Sequence, residues 1–395
     1  MMTTKFRMVG KLQAGKDGVT INSINSKFSN WEGSSLTLFL KSGTNNFRVK
    51  FFGGDMKDKR DASRYEDKNI RVYEDKEIKN EFKISYENRY NEEMLKEVPN
   101  FNKNIIAVNG TKDEYIFGND FVETVKARFD ELSQLTVVLT GDVGFSEQNG
   151  KIYQDFTVTN IWEAKKDEDG NYEREVARGT MQVFFKHGNG VEPFFNSKKK
   201  LDIQNLEDVG KVFNLDAFVE VRNTDRNTKD AYKTLHYPVK LTFNGTRLDF
   251  ANPEHEVITD YMLGNFNVKD DGKVYKMAWD VSFVSGREEA VMSESDLSEL
   301  LTDDERLFIE RFPAKKEAFL RTKTGAKMLG EFKNEIRLLE PNVNQPFKVE
   351  AEDVNEDILE IYKTIKGEVP KASTPKAEPT PTTKASTSVV DALFG

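Results

Sequence analysis

The chain of 395 residues has no cysteine and only three histidines. Without thiols there can be no disulfides, thiolate metal sites or cysteine nucleophiles. His187, His236 and His255 do not stand in HxH or HExxH spacing, so no zinc site is expected. Long apolar runs are missing as well. The mean hydropathy is -0.64, charged residues make up 32%, and no stretch approaches the roughly 18 apolar residues of a membrane-spanning helix. Residues 1–10 hold no apolar signal core, so export is not expected and the cytoplasm is the expected compartment. Nucleophile elbows of the GxSxG type are absent. Gly150-Lys151 fails as a phosphate-binding loop, because Phe145 stands where that loop needs glycine and Ile152 follows the lysine. The chain is therefore read as non-enzymatic, with no cofactor or metal. A magnesium enzyme is the alternative that 67 acidic residues leave open, although no acidic cluster stands out from the solvated background.

What the chain has is aromatics and charge. It carries 29 Phe, 12 Tyr and 3 Trp, with a net charge of -9 and a pI near 5.3. That sign does not exclude a nucleic-acid partner, because a binding channel needs local positive potential and not a positive total.

A short pattern occurs twice, about 120 residues apart. Gly141-Asp142 leads to Gly150-Lys151-Ile152-Tyr153, and Gly264-Asn265 leads to Gly272-Lys273-Val274-Tyr275; a polar helix-like stretch precedes each copy. Helix, strand, glycine turn and strand form the closing half of an OB barrel, so the repeat implies two barrels in tandem. The expected class is mainly β with some α: two tandem OB-like barrels, a helical C-terminal segment and a disordered tail. Residues 1–165 are read as the first barrel, with an insertion at 55–118, and 175–290 as the second. Residues 293–367 are read as helical, and 368–395 as a disordered tether with an apolar tip.

Local signals underlie these boundaries. Phe6 to Leu12, Leu36 to Leu40 and Asn46 to Phe52 have strand composition, and Asn119 or Asp120 reads as a cap ahead of Phe121, Val125, Phe129 and Leu132 at helical spacing. In the second half, Gly179 to Lys186, Val212 to Arg222 and Thr234 to Asn244 read as strands, with Asn252-Pro253 opening a helix. The run Lys198-Lys199-Lys200 reads as a linker or an exposed turn. Thr302 with Glu305 forms a capping box, and Asn355 opens a short helix closed by Gly367. Residues 369–388, mostly Pro, Thr, Ser, Ala and Lys, cannot bury a core. They end in Val389-Val390-Asp391-Ala392-Leu393-Phe394-Gly395, whose apolar side chains suit docking into a groove on another protein; a ragged terminus is the plainer alternative.

Proteins that hold single strands stack bases on aromatic faces while cations track the phosphates. In Phe47 to Phe52 the alternation places Arg48, Lys50 and Phe52 on one face and Phe47, Val49 and Phe51 on the other. The second set makes the better core, so the first is the candidate binding face, with Phe52 also fit to cover a barrel end. Lys151 and Tyr153, and in the second copy Lys273 and Tyr275, fall at the tip of the loop joining strands four and five, where a Gly-Lys pair can also be plain turn chemistry. Trp31, in the polar stretch between the first two strands, belongs to the other ligand loop. Lys186 and Lys240, together with His187, Tyr232, Lys233, Tyr237 and Arg247, give the second half its own basic and aromatic mixture.

The layout resembles a bacteriophage single-stranded DNA-binding protein of the replication machinery. The resemblance rests on Gly141 to Trp162, on Gly264 to Val284 and on the tether ending in Asp391-Ala392-Leu393-Phe394. It implies a protein that coats single-stranded DNA in replication, recombination and repair, in the host cytoplasm. It also implies recruitment of a polymerase, helicase or clamp through Asp391, Leu393 and Phe394. The tail departs from the family pattern: Lys371, Lys376 and Lys384 lie in the tether, and Asp391 is the one charged side chain of the tip. The ending also resembles short clamp-binding motifs, without their usual Gln. A virion structural or assembly protein is the rival reading, since such proteins are also all-β, cysteine-free and built of repeated barrels.

Overall fold

Period-two alternation of buried and exposed residues sets the first strands. The computed structural model describes residues 4–15, 18–25, 31–56, 69–74, 81–148, 151–166, 177–222, 234–289, 301–312, 319 and 329–360. Its first strands are β1 (Lys5–Gln13), β2 (Ile21–Asn25), β3 (Trp31–Ser42) and β4 (Asn45–Met56). Phe47, Val49 and Phe51 are fully buried, while Arg48 is exposed and Lys50 and Phe52 are half-buried. Across the pair, Leu36, Leu38 and Leu40 fill the same interior. Burying each such side chain contributes about 1.5–3 kcal/mol.

The insertion read at 55–118 holds a hairpin, β5 (Asn69–Tyr73) and β6 (Glu81–Ser85), forming a two-stranded sheet of its own. Helix α1 (Glu92–Glu97) follows, capped by the Asn91 side chain. The pair β7 (Asn104–Val108) and β8 (Thr111–Tyr115) rejoins the main sheet beside the tenth strand.

Helices α2 (Gly118–Ala127) and α3 (Phe129–Gln134) bury Phe121, Val122, Val125 and Leu132, the face that their spacing implies. The start differs from the Asn119 or Asp120 cap. The helix opens at Gly118 after Phe117 and has no side-chain cap; the Asp120 carboxylate instead takes the Arg89 Nε–H at 2.7 Å. Close packing selects glycine at both contact positions, since a Cβ on Gly53 of β4 would lie 2.0 Å from the Gly118 carbonyl carbon and one on Gly118 would lie 2.7 Å from the Gly53 Cα.

Strands β9 (Val137–Gln148), β10 (Lys151–Glu163), β11 (Ala177–Phe185), β12 (Val212–Arg222) and β13 (Thr234–Asn244) follow, with the short helix α4 (Ile203–Asp208) between β11 and β12. Helix α5 (Pro253–Phe266) is capped by the Asn252 side chain on the Glu254 N–H. Next come β14 (Lys273–Glu289), α6 (Asp303–Arg311), β15 (Leu329–Pro341) and β16 (Val349–Asn355). The molecule is mainly β with few helices, and fourteen of these strands join in one large mixed sheet, not a clean barrel.

Within the sheet the pairings run in two circuits. In the first, β1 pairs β3, β3 pairs β4, β4 pairs β10 in parallel, β10 pairs β9 and β9 returns to β1. In the second, β11 pairs β12, β12 pairs β13, β13 pairs β15 in parallel, β15 pairs β14 and β14 returns to β11. A helix stands between the third and fourth strand of each. The circuits meet where β1 pairs β11, and their interiors meet too: the Phe156 ring packs edge-on against Phe6, Phe47 and Phe283, with centroids 5.1–5.7 Å apart. Residues Met1–Ile361 form one compact unit; the second, Tyr362–Gly395, lies outside the described residues, and with it the tether and tip.

Two expectations are corrected. The second glycine pattern is not equivalent to the first: Gly150 separates β9 from β10, whereas Gly264 lies inside α5 and Gly272 links that helix to β14. Lys273 and Tyr275 therefore open a fourth strand and do not belong to a loop between strands four and five. The true partner of β14 is β15, from the segment read as helical. Buried Ile336 and Leu338 alternate there with more exposed neighbours, a strand period; β16 also pairs β14, and of the helix expected from Asn355 to Gly367 the described part, to Glu360, holds one 3-10 turn, Glu356–Ile358. In that segment the Thr302/Glu305 capping box does open a helix, α6. The lysine run 198–200, for which a linker or an exposed turn was expected, is the exposed turn, between β11 and β12, with the Asn196 N–H bonded to the Lys200 carbonyl and Lys199 at a φ of 59°.

Candidate nucleic-acid interface

The outer side of β3 and β4 is a ladder of paired residues. Register sets Ser35 opposite Phe52, Thr37 opposite Lys50 and Phe39 opposite Arg48. Trp31 opens β3 and so stands on the strand, not in the loop before it. Its half-buried ring stacks on Phe52 with centroids 5.7 Å apart and planes 20° apart. Glycines make this seat. A Cβ on Gly54 would fall 2.1 Å from the indole, and one on Gly33 2.5 Å from it. The Lys50 ammonium lies 4.9 Å from the centre of the Phe52 ring, a cation–π contact. Among the described residues neither Lys50 nor Arg48 has a carboxylate partner, so both charges face solvent uncompensated. This edge can stack a base and meet the adjoining phosphate.

Tyr153 is exposed on β10. Because Lys50 pairs with Thr157, period two puts Tyr153 on the continuation of the same outer side. It lies six residues from the level of Phe52, roughly 20 Å along the strands. The side chain of Lys151 lies outside the described residues.

Three lysine candidates in the second half are neutralised. Lys186 is paired with Glu356, Lys240 with Asp216 at 2.5 Å and Lys273 with Glu350 at 2.6 Å. Glu350 holds the Lys273 ammonium above the usual lysine range. Tyr275 is half-buried beside Phe185, and its hydroxyl donates to Asp271 at 3.3 Å. His187 Nδ1 faces the Val268 carbonyl at 3.1 Å. Tyr232 and Lys233 lie outside the described residues, as do Asp391, Leu393 and Phe394.

Two features were missed in the sequence. Phe39 is only partly buried and extends the β3–β4 face, which its period-two place after Leu38 could have signalled. The other is a stack within the insertion, where the Arg89 guanidinium lies 3.7 Å from the centre of the Tyr86 ring and 4.4 Å from that of Tyr90. Tyr90 is exposed, and burial of its hydroxyl together with the nearby Asp120 pushes its pKa up to about 12.

Among the described residues no group of His, Asp and Glu is arranged to hold a metal, and no helix is long and apolar enough to cross a membrane. No protein-family model and no curated protein matches the sequence.

Proposed function

We propose that the protein binds single-stranded DNA without strong sequence preference and coats it during replication, recombination and repair, as the phage proteins it resembles do. One observation carries this reading: the outer face of β3 and β4, where Trp31, Phe52, Lys50 and Arg48 present stacking surface and uncompensated positive charge side by side. The strand pairings support it. Each circuit has the order one-two-three-five-four, a parallel pair between strands three and five, and a helix before strand four. We read each circuit as an OB barrel on that order, with the face on strands two and three as the ligand side. The tip at Asp391, Leu393 and Phe394 is proposed to dock a polymerase, helicase or clamp.

Affinity in such a protein comes from phosphate contacts and stacking, so it falls steeply with salt. Titration with oligo-dT at low and moderate salt, followed by Trp fluorescence, should show quenching that weakens as salt rises and is lost in Trp31→Phe. Absence of binding by the unaltered protein at low salt would refute the function.

A further inference from the structure

The seam between the two circuits carries a row of arginines that no local sequence pattern reveals. Arg7 of β1 lies directly opposite Arg178 of β11, Arg178 opposite Ser282 of β14, and Ser282 opposite Arg337 of β15. Neighbouring strands are roughly 4.8 Å apart, so three guanidinium groups leave the same side of the sheet within a few strand spacings. Among the described residues neither Arg178 nor Arg247 has an ion-pair partner, while the Arg337 Nε–H goes to Glu335 at 2.7 Å.

Beside the row lies a cleft of about 530 Å³ lined by Arg178, Arg247 and Arg337 and, among the described residues, by no carboxylate. Asn45 and Asn244 border it with their carbonyls already engaged. The first accepts from the Ser285 N–H at 3.1 Å, and the second from the Thr246 N–H and hydroxyl at 3.2 and 2.8 Å. Each amide thus has its NH₂ group turned away from those donors. The floor is apolar, with Phe283 and Leu338 buried. An adjoining recess shares Arg178 and reaches Arg7 and Lys5; its carboxylates are Asp280 and Glu340. Asp280 is held there by the Thr180 hydroxyl and the Asn342 amide, both at 2.7 Å, and Lys5 is paired with Asp142. A cleft that three arginines line with no carboxylate among the described residues, in a chain of net charge -9, is complementary to a polyanion.

We propose that this seam is a phosphate-binding track, in which Arg178 and Arg247, with Arg7 and Arg337, hold successive phosphates of a bound strand as it passes from one circuit to the other. The identity of the anion as a DNA strand rests on the function proposed above; the site itself does not.

Two probes separate these claims. Tripolyphosphate, which has no bases to stack, should raise the melting temperature of the unaltered protein but not that of Arg178→Ala/Arg247→Ala. A control, Lys198→Ala/Lys199→Ala, removes the same charge from an exposed turn and should respond like the parent. With oligo-dT, loss of two phosphate contacts should lower the slope of log K against log salt by about 1.4, at about 0.7 per contact, while the control keeps the parental slope. A double arginine variant that responds to both probes as the parent does would overturn the track. Dependence of tripolyphosphate binding on the two arginines, with no oligo-dT binding by the parent, would leave the track standing and remove the DNA function.

Discussion

At the scale of single residues, burial decides behaviour that composition leaves open. His236 is 5% exposed, its ring packs edge-on to Phe184 at 4.7 Å, and its Nδ1 has no hydrogen-bond partner among the described residues. Burial holds its pKa below the ordinary 6.5. Below about pH 6.5 the unfolded chain takes up a proton that the native ring refuses, so stability is full above that pH and declines as pH falls, by at most about 1.4 kcal/mol per pH unit. Glu220, directly across the strand pair, acts in the opposite sense: burial raises its carboxyl pKa, so the native state gains on protonation as pH drops towards the ordinary 4.5. Other charges in this cleft are Lys276, Asp353, Asp357 and Glu360. Urea unfolding between pH 7.5 and 5.5 should show the decline in the parent and a flatter profile in His236→Phe; equal slopes would refute the assignment.

At the scale of elements, what could be read in the sequence was what a short window contains. Phe47 to Phe52 declared its two faces because one strand's alternation is complete in six residues, and Asn252-Pro253 declared the start of α5 by cap chemistry. β15 was hidden for the opposite reason. It pairs with β14 across residues 290–328, and its alternation is blurred by Leu339 and by charges on both sides. The repeated Gly-Lys pattern misled because the first copy falls between two strands paired with each other, β9 and β10, whereas Gly272 makes a helix-to-strand turn with a φ of 71°. Since β15 is the fifth strand of its circuit, ending the chain before residue 329 should unfold the second half and not merely trim a helical tail. Circular dichroism and limited proteolysis would report loss of β structure and cleavage within β12 to β14. A truncated chain as protease-resistant as the parent would show β15 to be dispensable.

At the scale of the whole molecule, much of the proposed binding surface was legible and its continuation was not. Trp31, Arg48, Lys50 and Phe52 come from two strands adjacent in sequence. Arg7, Arg178 and Arg337 come from positions more than 150 residues apart and meet only through non-local pairing. The proposed division of labour gives a test at this scale. Deleting residues 389–395 should leave oligo-dT binding within about twofold of the parent, since the tip supplies no phosphate contact, while abolishing co-purification of a replication polymerase, helicase or clamp. Loss of DNA affinity on deletion would place the tip in the channel.

The pairing of β1 with β11 joins the two circuits by main-chain hydrogen bonds. An anion seated on the arginine row is therefore held by both halves at once and is released when they part. Ligand occupancy and the integrity of that joint then share one free energy. Relative to the unliganded molecule, the proposed ligand would strengthen the connection by RT ln(1 + [L]/Kd), so on the proposed function a molecule bound to a strand is also the one hardest to pull in two.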